Sequence, residues 1–272
     1  MGNAPVRLQR RMARGLEGRR IVITRARDQA SELVRALEAR GAIAVVAPVI
    51  RIQPIENLGA LRAALAGLSA YRWVVFTSQN AVHIVCDRLV AWGLRPQVFA
   101  ATSVAAIGTA TAAALEQRGV RPALVPDEFV GEALAQALVT HTRGGMVGAR
   151  VLIPSAEDAR EALPAGLRAH GAQVEVVPVY RTVPAPAGGE IQQLAGDIAA
   201  GTIDAVTFTS SSTVQHFVEL VGREAATSDR FVAATIGPVT AGTARELGLR
   251  DVIEATPHTV PGLVDALARR FA

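Results

Sequence analysis

The sequence contains no lysine and a single cysteine. Without lysine there is neither a Schiff-base amine nor the lysine of a phosphate-binding P-loop, which removes several large enzyme classes. One cysteine, Cys86, cannot close an internal disulfide, and no C-x-x-C or paired-histidine spacing exists to hold zinc. A reducing cytoplasm fits this usage. Apolar runs are broken by Arg, Gly or Thr before the roughly 18 to 20 residues a membrane span needs. The N-terminus has scattered arginines and no apolar stretch of the export type. The expectation is a soluble, unexported, cytoplasmic chain that does not engage membranes.

What is present is 272 residues, half of them hydrophobic, enough for two domain cores. The net charge of +4 invites a nucleic-acid reading, but residues 1–20 alone hold six arginines against Glu17, a surplus of five, so the remainder carries −1. A duplex binder needs its positive charge on a folded face that tracks phosphates. Here the surplus lies in a stretch read as a disordered leader, residues 1–17, and nucleic acid is not an expected partner.

The chain is written twice. Laid on residue 148, residue 18 begins a gap-free match of "GRRIVITRARDQASELVRALEARGAIAVVAPVIRIQP" to "GARVLIPSAEDAREALPAGLRAHGAQVEVVPVYRTVP". "WVVFTSQNAV" (73–82) then matches "AVTFTSSSTV" (205–214), and "AIGTATAAALEQRG" (106–119) matches "TIGPVTAGTARELG" (235–248). Matched blocks in one order signal internal duplication. Each copy alternates a Val/Ile-rich β run with an amphipathic helix ending in Gly (Gly41, Gly171), the pattern of βα units on a parallel sheet. The expected fold is α/β: two similar doubly wound, flavodoxin-like parallel-sheet domains of about five strands each, joined by a two-stranded linker.

That linker is read from "APVIRIQP" (47–54) and "VPVYRTVP" (177–184). Their prolines lack an N–H and sit badly in central strands. As connecting strands they would pair, and the domains would then not follow the sequence halves. The expected division is 18–46 plus 185–272 for one discontinuous domain, 47–55 and 176–184 for the linker, and 56–175 for the other domain.

Parallel α/β sheets hold ligands beyond the carboxyl ends of their strands. Here those turns carry Thr77 and Ser78, Thr209 to Ser212, Thr109 and Thr111, and Thr240. Singly, each reads as an ordinary helix cap, and Gly108 and Gly237 as permitting tight turns. Together they would offer helix N-termini and hydroxyls to a large ligand carrying several carboxylates or phosphates. At about 1.5 to 3 kcal/mol per bond to a charged group, four or more contacts reach the roughly 8 kcal/mol of micromolar binding. No G-x-G-x-x-G follows either first strand, so nucleotide binding has no fingerprint.

Arg25, Arg51 and Arg181 are candidates to clamp carboxylates, with a solvated face as the other reading. Asp28 and Asp158 align at the starts of paired helices and read as caps. The five histidines, His83, His141, His170, His216 and His258, have no matched partners and read as surface or packing residues. Tyr180 has a distinctive position: it replaces Ile50 between shared Pro, Val and Arg neighbours. With an ordinary pKa near 10 it keeps a proton to give to a leaving oxygen. It would equally pack well in a strand.

"ITRA", "FTSQNAV", "AIGTAT", "VYRTVP", "FTSSSTV", "TIGPVT" and "TVPGLVDAL" occur in one order over about residues 18–270. In that order the chain resembles the uroporphyrinogen-III synthase family. The resemblance implies a cofactor-free lyase acting on a linear tetrapyrrole polycarboxylate, hydroxymethylbilane. Its hydroxyl is lost, ring D is inverted through a spiro intermediate, and the macrocycle closes to uroporphyrinogen III, the precursor of haem. It implies two α/β domains joined by a two-stranded ladder, Tyr180 as the catalytic residue, and Ser78, Thr111, Ser210 and Thr240 as substrate-binding residues, to which the candidate clamp Arg25 is added. A monomer with transient hand-over from hydroxymethylbilane synthase fits. The competing reading is a non-catalytic two-lobed module that closes on an anion, as sensor or solute-binding domains do.

Overall fold

A computed structural model describes residues 15–272, in two compact units. Unit 1 runs to Arg51 and resumes over Val183–Ala272; unit 2 is Ile52–Thr182. The leader expectation falls on residues outside those described, except at its end. Residues 15–17 form a turn in which Leu16 is fully buried, in the same cluster of unit 1 as Ile21, Leu37 and Leu267.

Unit 1 contains strands β1 (Arg20–Ile23), β2 (Ile43–Val46), β8 (Ala205–Phe208), β9 (Val232–Thr235) and β10 (Val252–Glu254). They form one parallel sheet in the order β10-β9-β8-β1-β2. Its helices are α1 (Ser31–Glu38), α7 (Gly189–Ala199), α8 (Ser211–Val221), α9 (Arg223–Ala226), α10 (Pro238–Glu246) and α11 (Val260–Arg270). The sheet of unit 2 has the order β3-β7-β6-β4-β5, from β3 (Ile50–Pro54), β4 (Trp73–Phe76), β5 (Ser103–Ala106), β6 (Arg150–Ala156) and β7 (Gln173–Pro184). Helices α2 (Gly59–Ala66), α3 (Gln79–Ala91), α4 (Thr109–Gln117), α5 (Gly131–His141) and α6 (Ala162–Ala169) accompany it.

The duplication is visible in the sheets. Strands β1, β2, β8 and β9 align by the repeat with β6, β7, β4 and β5. Taken in repeat order, unit 1 runs 2-1-3-4-5 and unit 2 runs 2-1-3-4, with the Ala105–Leu124 bridge where the fifth strand would be. This is the doubly wound, flavodoxin-like order. Unit 2 begins its chain midway through the repeat, so its sheet is a circular permutation of its sister's.

Central strands are buried on both faces, as parallel sheets covered by helices require. Ile21, Val22 and Ile23 are all inaccessible to solvent. In β4 the period of two divides neighbours between the faces: Val74 and Phe76 join one cluster with Leu115 and Val179, while Trp73 and Val75 join the other with Leu134 and Leu167. Each such fully buried side chain contributes about 1.5 to 3 kcal/mol. Gly41 and Gly171 end their helices at φ +86° and +83°, the left-handed region that glycine enters at little cost.

Gly108 and Gly237 depart from the expectation. Their φ values of −168° and −179° are extended, so no left-handed turn calls for glycine there. At Gly108 the constraint is close approach, since a Cβ would lie 3.0 Å from the Phe129 ring; at Gly237 a Cβ would lie 3.4 Å from the His258 ring, an ordinary contact. The capping roles assigned to Asp28 and Asp158 are also corrected. Asp28 lies in a 3-10 turn, Arg27–Gln29, and α1 is capped by Ala30; Asp158 lies in a turn three residues before the actual cap of α6, Glu161.

Proline placement follows its chemistry. β3, ending in Pro54, is the edge strand beside β7. Pro178 lies inside β7, where the register with β6 shifts between Ser155 and Ala156: Pro178 partners Ser155 and Tyr180 partners Ala156, leaving Val179 as an extra residue. Both chain passages between the units run through β3 and β7.

Cys86, on α3, is inaccessible, and burial foremost raises its thiol from 9.0 to about 11. Two units cut the thiolate fraction about a hundredfold at neutral pH. Alkylation of the native protein is therefore expected to be at least roughly a hundredfold slower than in denaturant, read by timed quench and mass spectrometry.

At the other end of the unit 2 sheet, Tyr71 donates its hydroxyl to Glu175, and Arg150 lies 4.3 Å over its ring. Burial first, then the bond to Glu175, lifts the Tyr71 phenol from 10.0 to about 12. A folded pKa raised in this way gives stability that is complete below pH 10 and is lost as pH rises through about 12.

Candidate functional site

The strand-end turn after β4 is built by Ser78. It caps α3, its Oγ accepting from the Ala81 N–H at 3.1 Å, which satisfies an amide the helix leaves open. The same oxygen accepts a second bond, at 3.0 Å, from Tyr180 Oη on β7. Tyr180 is 6% exposed, its ring within the Val74–Phe76–Val179 cluster. Its backbone is fixed as well, the carbonyl accepting from Glu157 N–H at 2.9 Å.

Burial raises the Tyr180 phenol above its ordinary value, while hydrogen bonds with Ser78 and Asn80 pull it down and Asp158 adds to the rise. The extra residue at Val179 explains how Tyr180 is buried. Along β7 Pro178 is exposed, whereas Val179 and Tyr180 are both buried, a break in the alternation that a bulge permits. At neutral pH the group is therefore a protonated phenol, packed and oriented, with its oxygen beside the first turn of a 13-residue helix.

The sister turn in unit 1 has the same cap with a different partner. Ser210 caps α8, accepting from Thr213 N–H at 3.3 Å, and Thr213 Oγ1 accepts from Ser210 N–H in return at 3.2 Å, a capping box. The second neighbour of Ser210 Oγ is Ser212 Oγ at 2.9 Å. By the repeat, Ser212 matches Asn80, and Ile50 matches Tyr180.

Thr111 and Thr240 both occupy the third position of their helices, α4 and α10, and are only 4% and 5% exposed. Those two helices start at Gly108 and Gly237 without a side-chain cap. Their first-turn amides, more than the threonine hydroxyls, are the donors these turns can offer an anion. Arg25 is half-buried just after β1. Of the other arginines considered, Arg181 is engaged by Glu157 at 2.7 Å, and Arg51 is exposed.

Structure thus brings together Ser78 and Tyr180 in unit 2, with Thr111 on a separate turn of that unit. Arg25, Ser210 and Thr240 belong to unit 1. Sequence reading missed Asn80, two places after Ser78 in "FTSQNAV". It also missed the rings over the uncapped turns, Phe129 and His258. These two are related by the same repeat as Gly108 and Gly237, a fourth matched block that shows once Leu134 is laid on Leu263. Among the described residues no group of three or more His, Cys, Asp or Glu is placed to hold a metal ion. Nor is any helix long and apolar enough to cross a membrane.

Residues 31–265 match the family model described as "Uroporphyrinogen-III synthase HemD". The chain belongs to the uroporphyrinogen-III synthase family. It is 31% identical over 267 residues to a protein named uroporphyrinogen-III synthase from Synechococcus elongatus, covering 93% of this chain and 95% of the relative. It is 32% identical to a putative uroporphyrinogen-III synthase from Methanothermobacter thermautotrophicus, covering 91% and 97%. Among solved structures, a mutant uroporphyrinogen III synthase of Thermus thermophilus superposes with TM-score 0.61 at 20% identity, covering 93% of this chain and 98% of that one. The Helicobacter pylori uroporphyrinogen-III synthetase gives 0.60 at 17%, covering 93% and 100%. At such identities these two speak for the fold, the α/β arrangement of parallel sheets that the family shares.

Proposed function

We propose that this member of the uroporphyrinogen-III synthase family converts hydroxymethylbilane to uroporphyrinogen III, working as a monomer in the cytoplasm without a cofactor. The observation that carries the chemistry is the buried phenol of Tyr180, whose oxygen meets the strand-end turn at Ser78. Departure of the substrate hydroxyl breaks a C–O bond whose electron pair goes to oxygen. A proton delivered there lets the group leave as water, and Tyr180 is the donor. Ring D then closes with inversion through a spiro intermediate, and the chain's part is to hold it against closure in the ordinary sense.

The acetate and propionate arms are assigned to Arg25 and to the strand-end turns of Ser78, Thr111, Ser210 and Thr240. Two features support this assignment: the uncapped first turns at Gly108 and Gly237, and the half-buried Arg25 guanidinium. Such donors reach useful affinity without a basic surface, in keeping with a chain body close to neutral.

The test mixes the protein with hydroxymethylbilane synthase and porphobilinogen, oxidises the products and separates the porphyrin isomers. Isomer III is expected to dominate. Isomer I alone would reject catalysis in favour of an anion-binding module.

A further inference from the structure

We propose that Ser78 is a positioning residue for Tyr180: its hydroxyl holds the phenol in the resting state and, once the phenol has given up its proton, turns to donate to the phenolate. This rests on the proposed function for the identity of the acid, and it changes the role of Ser78 from a substrate contact to a group acting through another.

A serine hydroxyl has one proton to donate and two lone pairs to accept with. At Ser78 both lone pairs are used, one by the Ala81 N–H at 3.1 Å and one by the Tyr180 O–H at 3.0 Å. Its own proton therefore points away from Tyr180 while the phenol is intact. When the Tyr180 proton passes to the departing hydroxyl oxygen, the O–H bond of the phenol breaks and its electron pair stays on Oη as negative charge. Rotation about the Cβ–Oγ bond is then enough to bring the Ser78 proton into the same 3.0 Å contact, now as a donor to an anion. The helix supplies a further reason for this geometry: the cap bond from Ala81 fixes Oγ in place, so the response needs a rotating hydrogen and no moving heavy atom.

The duplicated chain contains its own control. Ser210 is the same cap on the same turn, yet its second partner comes from within its own helix, Ser212 Oγ at 2.9 Å. Only the copy that has a phenol in place of Ile50 directs its cap serine across the sheet, past β6, to a side chain of β7. The capping function is thus satisfied without a tyrosine, and the Ser78–Tyr180 bond is an addition to it. Asn80, matched by Ser212, supplies the second hydrogen-bonding side chain to the phenol.

The chain has two tyrosines, so Tyr71→Phe leaves Tyr180 as the sole phenol. In that background, alkaline titration of the tyrosinate absorbance reads Tyr180 without any substrate, with circular dichroism followed alongside. Ser78→Ala is expected to move the midpoint up by about one unit, the excess of a bond to the charged oxygen over the neutral bond lost with it, and Ser78→Thr to restore it. An unchanged midpoint in Ser78→Ala overturns the proposal. Should the alanine variant loosen α3, Ser78→Gly keeps most of the cap preference while removing the hydroxyl, and the same shift is expected. With substrate, Ser78→Ala is expected to lower kcat about tenfold with KM within twofold, and the alkaline limb of kcat to move with the phenol. A raised KM at unchanged kcat overturns the proposal in favour of direct substrate binding. If wild-type protein forms no isomer III, the proposed function fails, while the titration still decides whether Ser78 holds the phenol.

Discussion

Tyr180→Phe is expected to slow turnover roughly a hundredfold, the lower end of what a positioned acid contributes, while the product remains isomer III. The substitution keeps the ring, which belongs to the buried cluster that holds Val74, Phe76 and Val179. It removes only the oxygen that donates to Ser78 Oγ, at a cost of about 0.5 to 1.5 kcal/mol in stability. The separation of rate from outcome follows from the division of roles. The phenol assists departure of the hydroxyl, whereas the sense of ring closure depends on how the arms of the substrate are held. A folded variant that yields chiefly isomer I on chromatography would contradict that division. The pH profile is a second check. Burial raises the Tyr180 phenol, so the acid form persists to higher pH than a free tyrosine, and the wild-type rate should fall only above about pH 10. In Tyr180→Phe this alkaline limb should disappear.

The architecture was legible because duplication makes one chain its own comparison. Val/Ile-rich strands, helix-ending Gly41 and Gly171, and the ordered F-T-S and I-G turns are local features, and local features survive in sequence. The unit boundaries lie inside β3 and β7, at Arg51 and Val183, close to the Pro-bounded segments. What sequence could not disclose was set by contacts between distant residues. Asp28 and Asp158 aligned with helix starts, but the helices begin later, at Ser31 and Ala162, because cap position is decided by backbone geometry and not by a nearby acid. Gly108 and Gly237 looked like turn glycines, but their backbones are extended, and only at Gly108 does a ring, that of Phe129, crowd a Cβ. The pairing of Tyr180 with Ser78 spans 102 residues and depends on one extra residue at Val179, which no periodicity announces.

Gly262→Ala is expected to be the most damaging single methyl group in unit 1. A Cβ there would lie 1.9 Å from the Pro257 carbonyl oxygen and 3.0 Å from the Pro257 C and N atoms, all backbone, so no side-chain rotation can relieve it. Gly262 also donates its N–H to Thr259 Oγ1 at 3.2 Å, the cap of α11. Relief of the clash means moving either the 257–259 segment or the first turn of the helix. Either movement opens that cap and lifts Leu263, which is fully buried with Ile21, Ile23 and Leu33. Loss of a cap costs about 1 kcal/mol and overpacking a further 1 to 3. About 3 kcal/mol is therefore expected, a fall of roughly 6 to 12 °C in melting temperature for a chain of this size. The repeat mate of Gly262 is Ala133, which shows that the helix position itself accepts a methyl group and that the constraint comes from the approach of Pro257. Gly242→Ala in α10 is the control. Its Cβ meets nothing within 4 Å, and removing a helical glycine should leave stability unchanged or raise it by up to about 1 kcal/mol. Denaturant midpoints for the two variants decide the matter: a Gly262→Ala protein within about 0.5 kcal/mol of wild type, the scatter of ordinary surface changes, would mean that Pro257 does not press on this helix as described.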